Sequence, residues 1–218
     1  HCSKKLMAAD ELLAVLDERG VKTGVKTRAQ VHRDHDWHWL VFVWAAHLDA
    51  AGQARTLLQI RARSGDPFQG NLDAPAGGHV NAAETPLQGA LREFHEEVGV
   101  ELQESDLVHL DECPLANHSG KCRRVIQHFY LCYRPIDLRT VRFNEEVSGF
   151  VEVGLEEFID LLEGRQQSIQ GRGRFAEQPD AILEKTVEFA SFASYSAPIQ
   201  ESFRRSMRQV LTYLQRSI

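Results

Sequence analysis

Short apolar runs separated by turn-forming residues recur along the chain. Residues 39–48 are apolar almost throughout, which is typical of a strand buried on both faces. A turn containing Gly and a second apolar run over residues 55–63 follow, so the two runs predict a hairpin. Further strands are predicted over residues 11–17, 125–133 and 148–153.

A helix is predicted over residues 86–98 by the signals at its two ends. Thr85 is a good N-cap, Pro86 suits the first helical position, and Gln88 completes a capping box with Thr85. Gly99 can adopt the left-handed conformation that ends a helix. The apolar residues fall at helical spacing and form one stripe that would face a sheet. These residues are Leu87, Ala90, Leu91, Phe94 and Val98.

The other segments complete an interleaved pattern of strands and helices. Helices are predicted over residues 154–162 and 200–215, and the second is amphipathic and closes the chain. Three polar or Gly-containing segments are predicted to be irregular, namely residues 31–38, 64–76 and 163–180. This interleaving argues for an α/β or α+β layered domain.

The composition is that of one globular domain. The 218 residues are 43% hydrophobic and 26% charged, which is enough for one good core and awkward for two. We expect a single domain over residues 7–218, with a core at about residues 37–165 between an N-terminal strand and turn and a C-terminal helix. The chain does not begin with Met, and residues 1–6 are interpreted as a tag remnant or a trimmed start.

The net charge, the apolar runs and the cysteine spacing bear on which partners and which cellular compartment are expected. The net charge is −6 at pH 7, so no basic excess points to a nucleic-acid partner. No apolar run approaches the roughly 20 residues of a membrane span, so no membrane partner is expected. The four cysteines form no CxxC pair, which favours a reduced, cytoplasmic protein.

Cys113, His118 and Cys122 lie close together in the sequence, and one hypothesis is that they bind a metal ion. A zinc site normally has four ligands at tighter paired spacing. Ordinary loop and strand residues are therefore the preferred interpretation.

Three glutamates crowd one face of the predicted helix. Glu93, Glu96 and Glu97 stand at i, i+3 and i+4, where like charges repel. A solvated acidic face is the ordinary explanation of such a run. The glutamates border the apolar stripe, however, and lie near the helix C-terminus, where the helix dipole disfavours negative charge. A hard divalent cation such as Mg²⁺, which binds carboxylates and substrate phosphates, would relieve the repulsion.

The spacing around this helix resembles a known motif. Counting from Gly78, five residues precede Glu84 and seven more precede Arg92, which opens the sequence REFHEEVGV. This matches the Nudix box, Gx5Ex7REUxEExGU with U aliphatic or aromatic, at every fixed position. The resemblance implies a Nudix fold, a mixed sheet between helices in which the box forms a loop-helix-loop. It also implies Mg²⁺- or Mn²⁺-assisted hydrolysis of a nucleoside diphosphate linked to another moiety.

The resemblance to the Nudix hydrolases also implies roles for the charged residues of the box. Glu93, Glu96 and Glu97 match the metal-binding glutamates, and Glu93 is a candidate for orienting or deprotonating the attacking water. Arg92 matches the residue that holds the glutamate cluster in place.

The remaining box positions carry structural roles under the same resemblance. Glu84 matches a structural residue at the junction of loop and helix, and the Gly77 carbonyl resembles an additional metal ligand. Gly78 and Gly99 match the glycines that permit tight turns on either side.

A wider similarity covers residues 13–157, which resemble the Nudix subgroup related to isopentenyl-diphosphate isomerase. His38 and His79 match positions at which the isomerases bind a metal. His38 is preferentially interpreted as a strand-edge residue with a satisfied hydrogen bond, whereas His79 is expected either to contact phosphate or to cap its loop. The isomerases have a catalytic cysteine where this chain has Gly77, so the hydrolase is favoured.

Candidate substrate contacts lie outside the box. Arg61 and Arg63 end the second hairpin strand, and arginine suits phosphate; a surface role is the alternative for both. Glu146 precedes a strand in a position where Nudix enzymes often have an acid, so it is a candidate fourth carboxylate or general base. The alternative for Glu146 is an exposed loop pair with Glu145.

Three functions therefore compete. The leading hypothesis is metal-dependent hydrolysis of a small-molecule diphosphate by water attack on phosphorus. The alternatives are isomerase-like chemistry on prenyl diphosphates and a non-catalytic Nudix binding module. The sequence leaves open the substrate, the choice between monomer and homodimer, and whether residues 188–203 close the pocket or belong to the core.

Overall fold

Residues 10–116, 123–193 and 195–216 are described by a computed structural model of the protein. The interpretation of residues 1–6 and the zinc hypothesis for His118 and Cys122 lie outside the described residues. Cys113 is buried as a free thiol.

Strands and helices interleave along the chain, as the sequence predicts. The strands in the described part of the chain are β1 (Leu12–Leu16), β2 (Lys22–Thr27), β3 (Trp37–Leu48), β4 (Ala54–Arg61), β5 (Leu72–Asp73), β6 (Ala76–His79), β7 (Leu107–Ala116), β8 (Arg124–Cys132), β9 (Val147–Gly154), β10 (Ser168–Phe175) and β11 (Gln178–Glu188). The α-helices there are α1 (Arg28–Asp34), α2 (Pro86–Val98), α3 (Leu155–Leu162) and α4 (Ala197–Arg216). None of these helices is both long and apolar enough to cross a membrane.

The long strand β3 organises a mixed sheet. β3 pairs in parallel with β8 and antiparallel with β6, and its last three residues pair antiparallel with β4. The longest path through the sheet runs β11-β10-β9-β4-β3-β1-β2. This arrangement places β6, which leads into α2, directly beside the central strand.

The two faces of β3 carry different apolar clusters. Val41 and Val43 pack on one face with Phe94 of α2. Trp44 packs on the other face with Phe203 of α4, as expected where successive side chains of a strand alternate. The sheet therefore lies between α2 on one side and α3 and α4 on the other, which confirms the predicted mixed sheet between helices.

The ends of α2 agree with the prediction. The Gln88 N–H donates to Thr85 Oγ1 at 3.3 Å and the Thr85 N–H donates to Gln88 Oε1 at 2.9 Å, so the capping box is complete. Gly99 follows the helix with φ of +78°. The helix runs over Pro86–Val98, as predicted.

The prediction of a polar link over residues 31–38 is wrong. The segment contains most of α1, which begins after an N-cap at Thr27 and a capping box with Gln30. Only Val31 of this short helix is buried, so it has no apolar stripe to reveal it. The T-x-x-Q spacing at Thr27 was the available signal.

The prediction of a loop over residues 163–180 is also wrong. These residues hold β10 and the start of β11, which form an antiparallel hairpin. A Cβ at Gly171 would lie 2.7 Å from the Glu152 carbonyl oxygen of the neighbouring strand β9. Glycine fits there because the two strands approach closely, so the Gly-rich composition reflects close strand packing and not a loop.

The capping box of α2 leads to a stability prediction. Thr85→Ala removes the side-chain acceptor for the Gln88 N–H, so we expect the free energy of unfolding to fall by about 1 kcal/mol in urea denaturation. Thr212→Ala is the matched control, because Thr212 is an exposed interior residue of α4 and should change stability by less than about 0.5 kcal/mol. Equal effects of the two substitutions would contradict this account of the helix start.

Candidate active site

The helix α2 carries two buried glutamates towards the backbone of β6. Glu93 and Glu97 have only 9% and 8% of their surface exposed, whereas the Glu96 side chain is 57% exposed. The Glu93 carboxylate lies against Gly78 so closely that a Cβ at that position would overlap it. A glycine is therefore required where the strand meets the acidic face of the helix.

A single guanidinium holds much of this acidic face. Arg92 Nη1 lies 2.8 Å from Glu93 Oε1 and 3.3 Å from Glu96 Oε2. Arg92 Nε donates to Glu84 Oε1 at 2.8 Å, and Nη2 donates to the His79 carbonyl at 2.9 Å. Arg92 thus ties two glutamates of α2 to the loop before the helix and to the end of β6.

Glu97 is held by different donors. Gln59 Nε2 and the Gly77 N–H each donate to Glu97 Oε2 at 3.0 Å. None of the hydrogen bonds among the described residues reaches Glu97 Oε1. The other carboxylate oxygen of this buried side chain is therefore available to a ligand.

Burial makes the charged forms of both glutamates costly. It raises the pKa of Glu93 to about 7, although the charge of Arg92 opposes the shift. Burial also raises the pKa of Glu97 well above its usual value, and the charges of Glu93 and Glu146 add to that rise. Oxygen donors that are buried and electrostatically unsatisfied fit a hard cation such as Mg²⁺ or Mn²⁺.

Glu146 lies in the loop before β9. Its N–H donates to Asn144 Oδ1 at 2.7 Å, and its carbonyl accepts from the Ala62 N–H at 2.8 Å. Its carboxylate lies 4.0 Å from Arg63 Nη1, and its charge acts on Glu97. The backbone contacts fix Glu146 and Arg63 together at the rim of the acidic site.

Arg61 occupies a more enclosed position than Arg63. Its guanidinium forms ion pairs with Asp66 and with Asp73, the second at 2.6 Å. The Tyr195 hydroxyl also donates to Asp73, although the two residues are 122 positions apart in the chain. Two carboxylates already engage Arg61, and its contact with substrate stays a prediction. No pattern in the sequence indicates that Asp73 and Tyr195 lie beside it.

Three histidines meet beside this site. His32 from α1, His38 from β3 and His79 from β6 place their nearest ring nitrogens within 4.8 Å of one another. His32 Nε2 and His79 Nε2 are 3.0 Å apart, and His38 Nδ1 lies 3.0 Å from the Asp36 carbonyl oxygen. Burial lowers the pKa of His32 to about 4 and the pKa of His79 well below its usual value. His32 carried no signal in the sequence, because only the fold brings α1 to the end of β6.

The sequence matches the NUDIX domain family over residues 40–171, which include the whole acidic face of α2. The chain belongs to the Nudix family. Its likeness to a MutT/nudix family protein from Enterococcus faecalis confirms the fold, with a TM-score of 0.52 at 20% identity over 80% of this chain and 62% of that one.

Two curated relatives bear on the subgroup of the Nudix family to which this chain is similar. It is 36% identical over 162 residues to Nudix hydrolase 3 of Arabidopsis thaliana, which is 71% of this chain and 20% of the relative. It is 33% identical over 94 residues to an isopentenyl-diphosphate Delta-isomerase of Cutibacterium acnes, which is 43% of this chain and 45% of that protein. The chain thus spans a fifth of the plant protein and less than half of the bacterial one, and the similarity agrees with the subgroup expected from the sequence.

The buried carboxylates lead to a prediction about stability and pH. The pKa of Glu93 is higher in the folded than in the unfolded chain, so the folded state binds more protons between about pH 5 and 7. In EDTA, the melting temperature should therefore fall as the pH rises through this window. Glu93→Gln and Glu97→Gln should each raise the metal-free melting temperature at pH 8, and Mg²⁺ should stabilise the parent protein more at pH 8 than at pH 5.

The exposed Glu101 gives a matched control for this experiment, because Glu101→Gln removes a charge beyond the end of α2. Its melting temperature should follow that of the parent protein at both pH values in scanning fluorimetry. A metal-free melting temperature of Glu93→Gln at or below the parent value at pH 8 would contradict the electrostatic account.

Proposed function

We propose that this chain hydrolyses a diphosphate linkage in a nucleoside diphosphate linked to another moiety, or in a related organic diphosphate. The observation that carries the proposal is the pair of buried carboxylates, Glu93 and Glu97, that converge on Gly77 and Gly78 without enough positive charge to balance them. Buried unpaired charge destabilises the folded state. A pair of such carboxylates therefore indicates a bound cation and not a purely structural role.

The proposed metal ligands are Glu93, Glu96 and Glu97, with the Gly77 carbonyl as a further oxygen donor. When bound, Mg²⁺ or Mn²⁺ would supply positive charge to the diphosphate oxygens and lower the pKa of a bound water. Arg92 keeps Glu93 and Glu96 in place through its ion pairs, so these ligands are ordered before the cation arrives.

Two carboxylates are candidates for taking the proton of the attacking water. Glu93 is pinned to Arg92 through Oε1, which leaves Oε2 as its candidate acceptor. Glu146 lies on a loop fixed by Asn144, and its side chain is 39% exposed. A base that must exchange protons with solvent is better placed at the rim, so we assign the proton transfer to Glu146.

Arg63 is the better placed of the two candidate arginines for the substrate. Its side chain is 45% exposed at the rim beside Glu146, whereas Arg61 is engaged by Asp66 and Asp73. We propose that Arg63 binds the diphosphate and that Arg61 shapes the loop beneath it. His79, whose carbonyl holds Arg92, would border the same phosphates.

The proposal predicts a metal-dependent hydrolase that fails without its buried glutamates. A screen with Mg²⁺ over nucleotide sugars, dinucleotides, nucleoside di- and triphosphates and CoA esters should reveal a hydrolysed diphosphate. With that substrate, Glu97→Gln should lower kcat at least about 100-fold, and Glu146→Gln should lower it about 100-fold as expected for a general base. Glu101→Gln should retain the parent rate.

A protein that hydrolyses none of these compounds, with Glu97→Gln binding them as the parent does, would be the non-catalytic binding module instead. An unchanged rate for Glu146→Gln, with a loss confined to Glu93→Gln, would move the proton transfer to Glu93.

A second candidate, isomerase-like chemistry on a prenyl diphosphate, is favoured by the cluster of His32, His38 and His79 and by the similarity to a protein named as an isomerase. The residue at position 77 argues against this second candidate, because the isomerases have a catalytic cysteine there and this chain has a glycine. A Cβ at Gly77 would lie 2.7 Å from the Phe42 ring, so a cysteine at that position would require the ring to move.

We therefore expect isopentenyl diphosphate to remain unisomerised when the protein is incubated with Mg²⁺, Mn²⁺ or Zn²⁺. Deuterium incorporation from heavy water, followed by NMR, measures isomerisation directly. Incorporation that is abolished by His79→Ala would establish the second candidate and displace the first.

A further inference from the structure

A buried amide lies beneath the acidic face at a place where an apolar residue would be expected. Gln59 lies within β4 and is only 3% exposed. It shares a strand face with Leu57, which packs in the same cluster as Phe94 of α2. Burying a carboxamide in such a cluster is unfavourable unless its polar atoms are used, so the contacts of Gln59 indicate why it is there.

The two ends of this amide are used unequally. Gln59 Nε2 donates to Glu97 Oε2 at 3.0 Å. Gln59 Oε1 is buried and accepts no hydrogen bond from the described residues. The opposite orientation of the amide would place an oxygen against the carboxylate, so the contact with Glu97 determines which way the amide faces.

Glu97 depends on this contact because the Arg92 guanidinium does not reach it. Among the described residues, Arg92 forms ion pairs with Glu84, Glu93 and Glu96. The donors to Glu97 are the Gln59 amide and the Gly77 N–H, and both reach Oε2. Without Gln59, one backbone N–H would be left to orient a buried carboxylate.

We propose that Gln59 is a positioning residue for the metal site. It fixes Glu97 Oε2 together with the Gly77 N–H and leaves Glu97 Oε1 as the oxygen that binds Mg²⁺ or Mn²⁺. The inference rests on the proposed function for the presence of the cation, and it adds a residue outside the Nudix box to the machinery. Hydrogen bonds to a carboxylate ligand commonly set its orientation and the affinity of the site.

The test is Mn²⁺ binding in the absence of substrate. Gln59→Met keeps the volume and removes the donor, so we expect the Kd for Mn²⁺, measured by electron paramagnetic resonance, to rise about 10-fold. Gln127→Met is the matched control: Gln127 is a fully buried glutamine of β8 whose Oε1 accepts from Ser202 of α4 on the other face of the sheet. It should bind Mn²⁺ as the parent does.

A second measurement separates positioning from general destabilisation. In the Glu97→Gln background, Gln59→Met should cause no further loss of Mn²⁺ affinity, because the carboxylate that it orients is gone. With a hydrolysed substrate, Gln59→Met should lower kcat about 10-fold or more at saturating substrate with little change in KM. If Gln59→Met does not fold, Gln59→Asn, which is too short to reach Glu97, is measured in the same way.

The outcomes are distinct from those that test the hydrolase itself. Parent-like Mn²⁺ affinity of the folded Gln59 variant, an equal loss in the Glu97→Gln background, or no Mn²⁺ binding by the parent protein would overturn the inference. A Gln59-dependent Mn²⁺ site in a protein that hydrolyses no diphosphate would support the inference and contradict the proposed function.

Discussion

The ion pairs of Arg92 are the interaction on which the rest of the site depends. The end of α2 concentrates negative charge where the helix dipole already disfavours it, and Arg92 binds Glu84, Glu93 and Glu96 at once. One guanidinium offsets only part of that charge, because Glu97 lies beyond its reach. Because the unfolded chain is free of this repulsion, we expect the repulsion to lower the stability of the metal-free folded protein, and we propose that a bound divalent cation relieves it.

The fold supplies what the helix alone lacks. β6 lies beside the central strand β3 and precedes α2 in the chain. A Cβ at Gly78 would collide with the Glu93 carboxylate, and the Gly77 N–H donates to Glu97. The neighbouring strands β4 and β5 pair Gln59 with Asp73. Tyr195 reaches Asp73 from the segment before α4, so the C-terminal part of the chain is linked to the floor of the site.

Local sequence signals predict much of the fold and of the site. Contacts between segments that are distant in sequence cannot be predicted from such signals. The bounds of α2 follow from Thr85 and Gly99, because caps act within one turn of the helix. The short helix α1 and the glycine-containing strand β10 resemble irregular segments in the sequence, since one buries a single residue and the other has glycines for close packing. The box residues could be named from spacing, whereas Gln59 and His32 could not, because their roles depend on contacts between segments distant in sequence.

The most direct test of the account is the position of the cation. In crystals grown or soaked with Mn²⁺, anomalous scattering at a wavelength selective for manganese would locate the ion. We predict a peak between the carboxylates of Glu93 and Glu97, beside the backbone of Gly77. A peak confined to His32, His38 and His79, with none at the glutamates, would contradict the account.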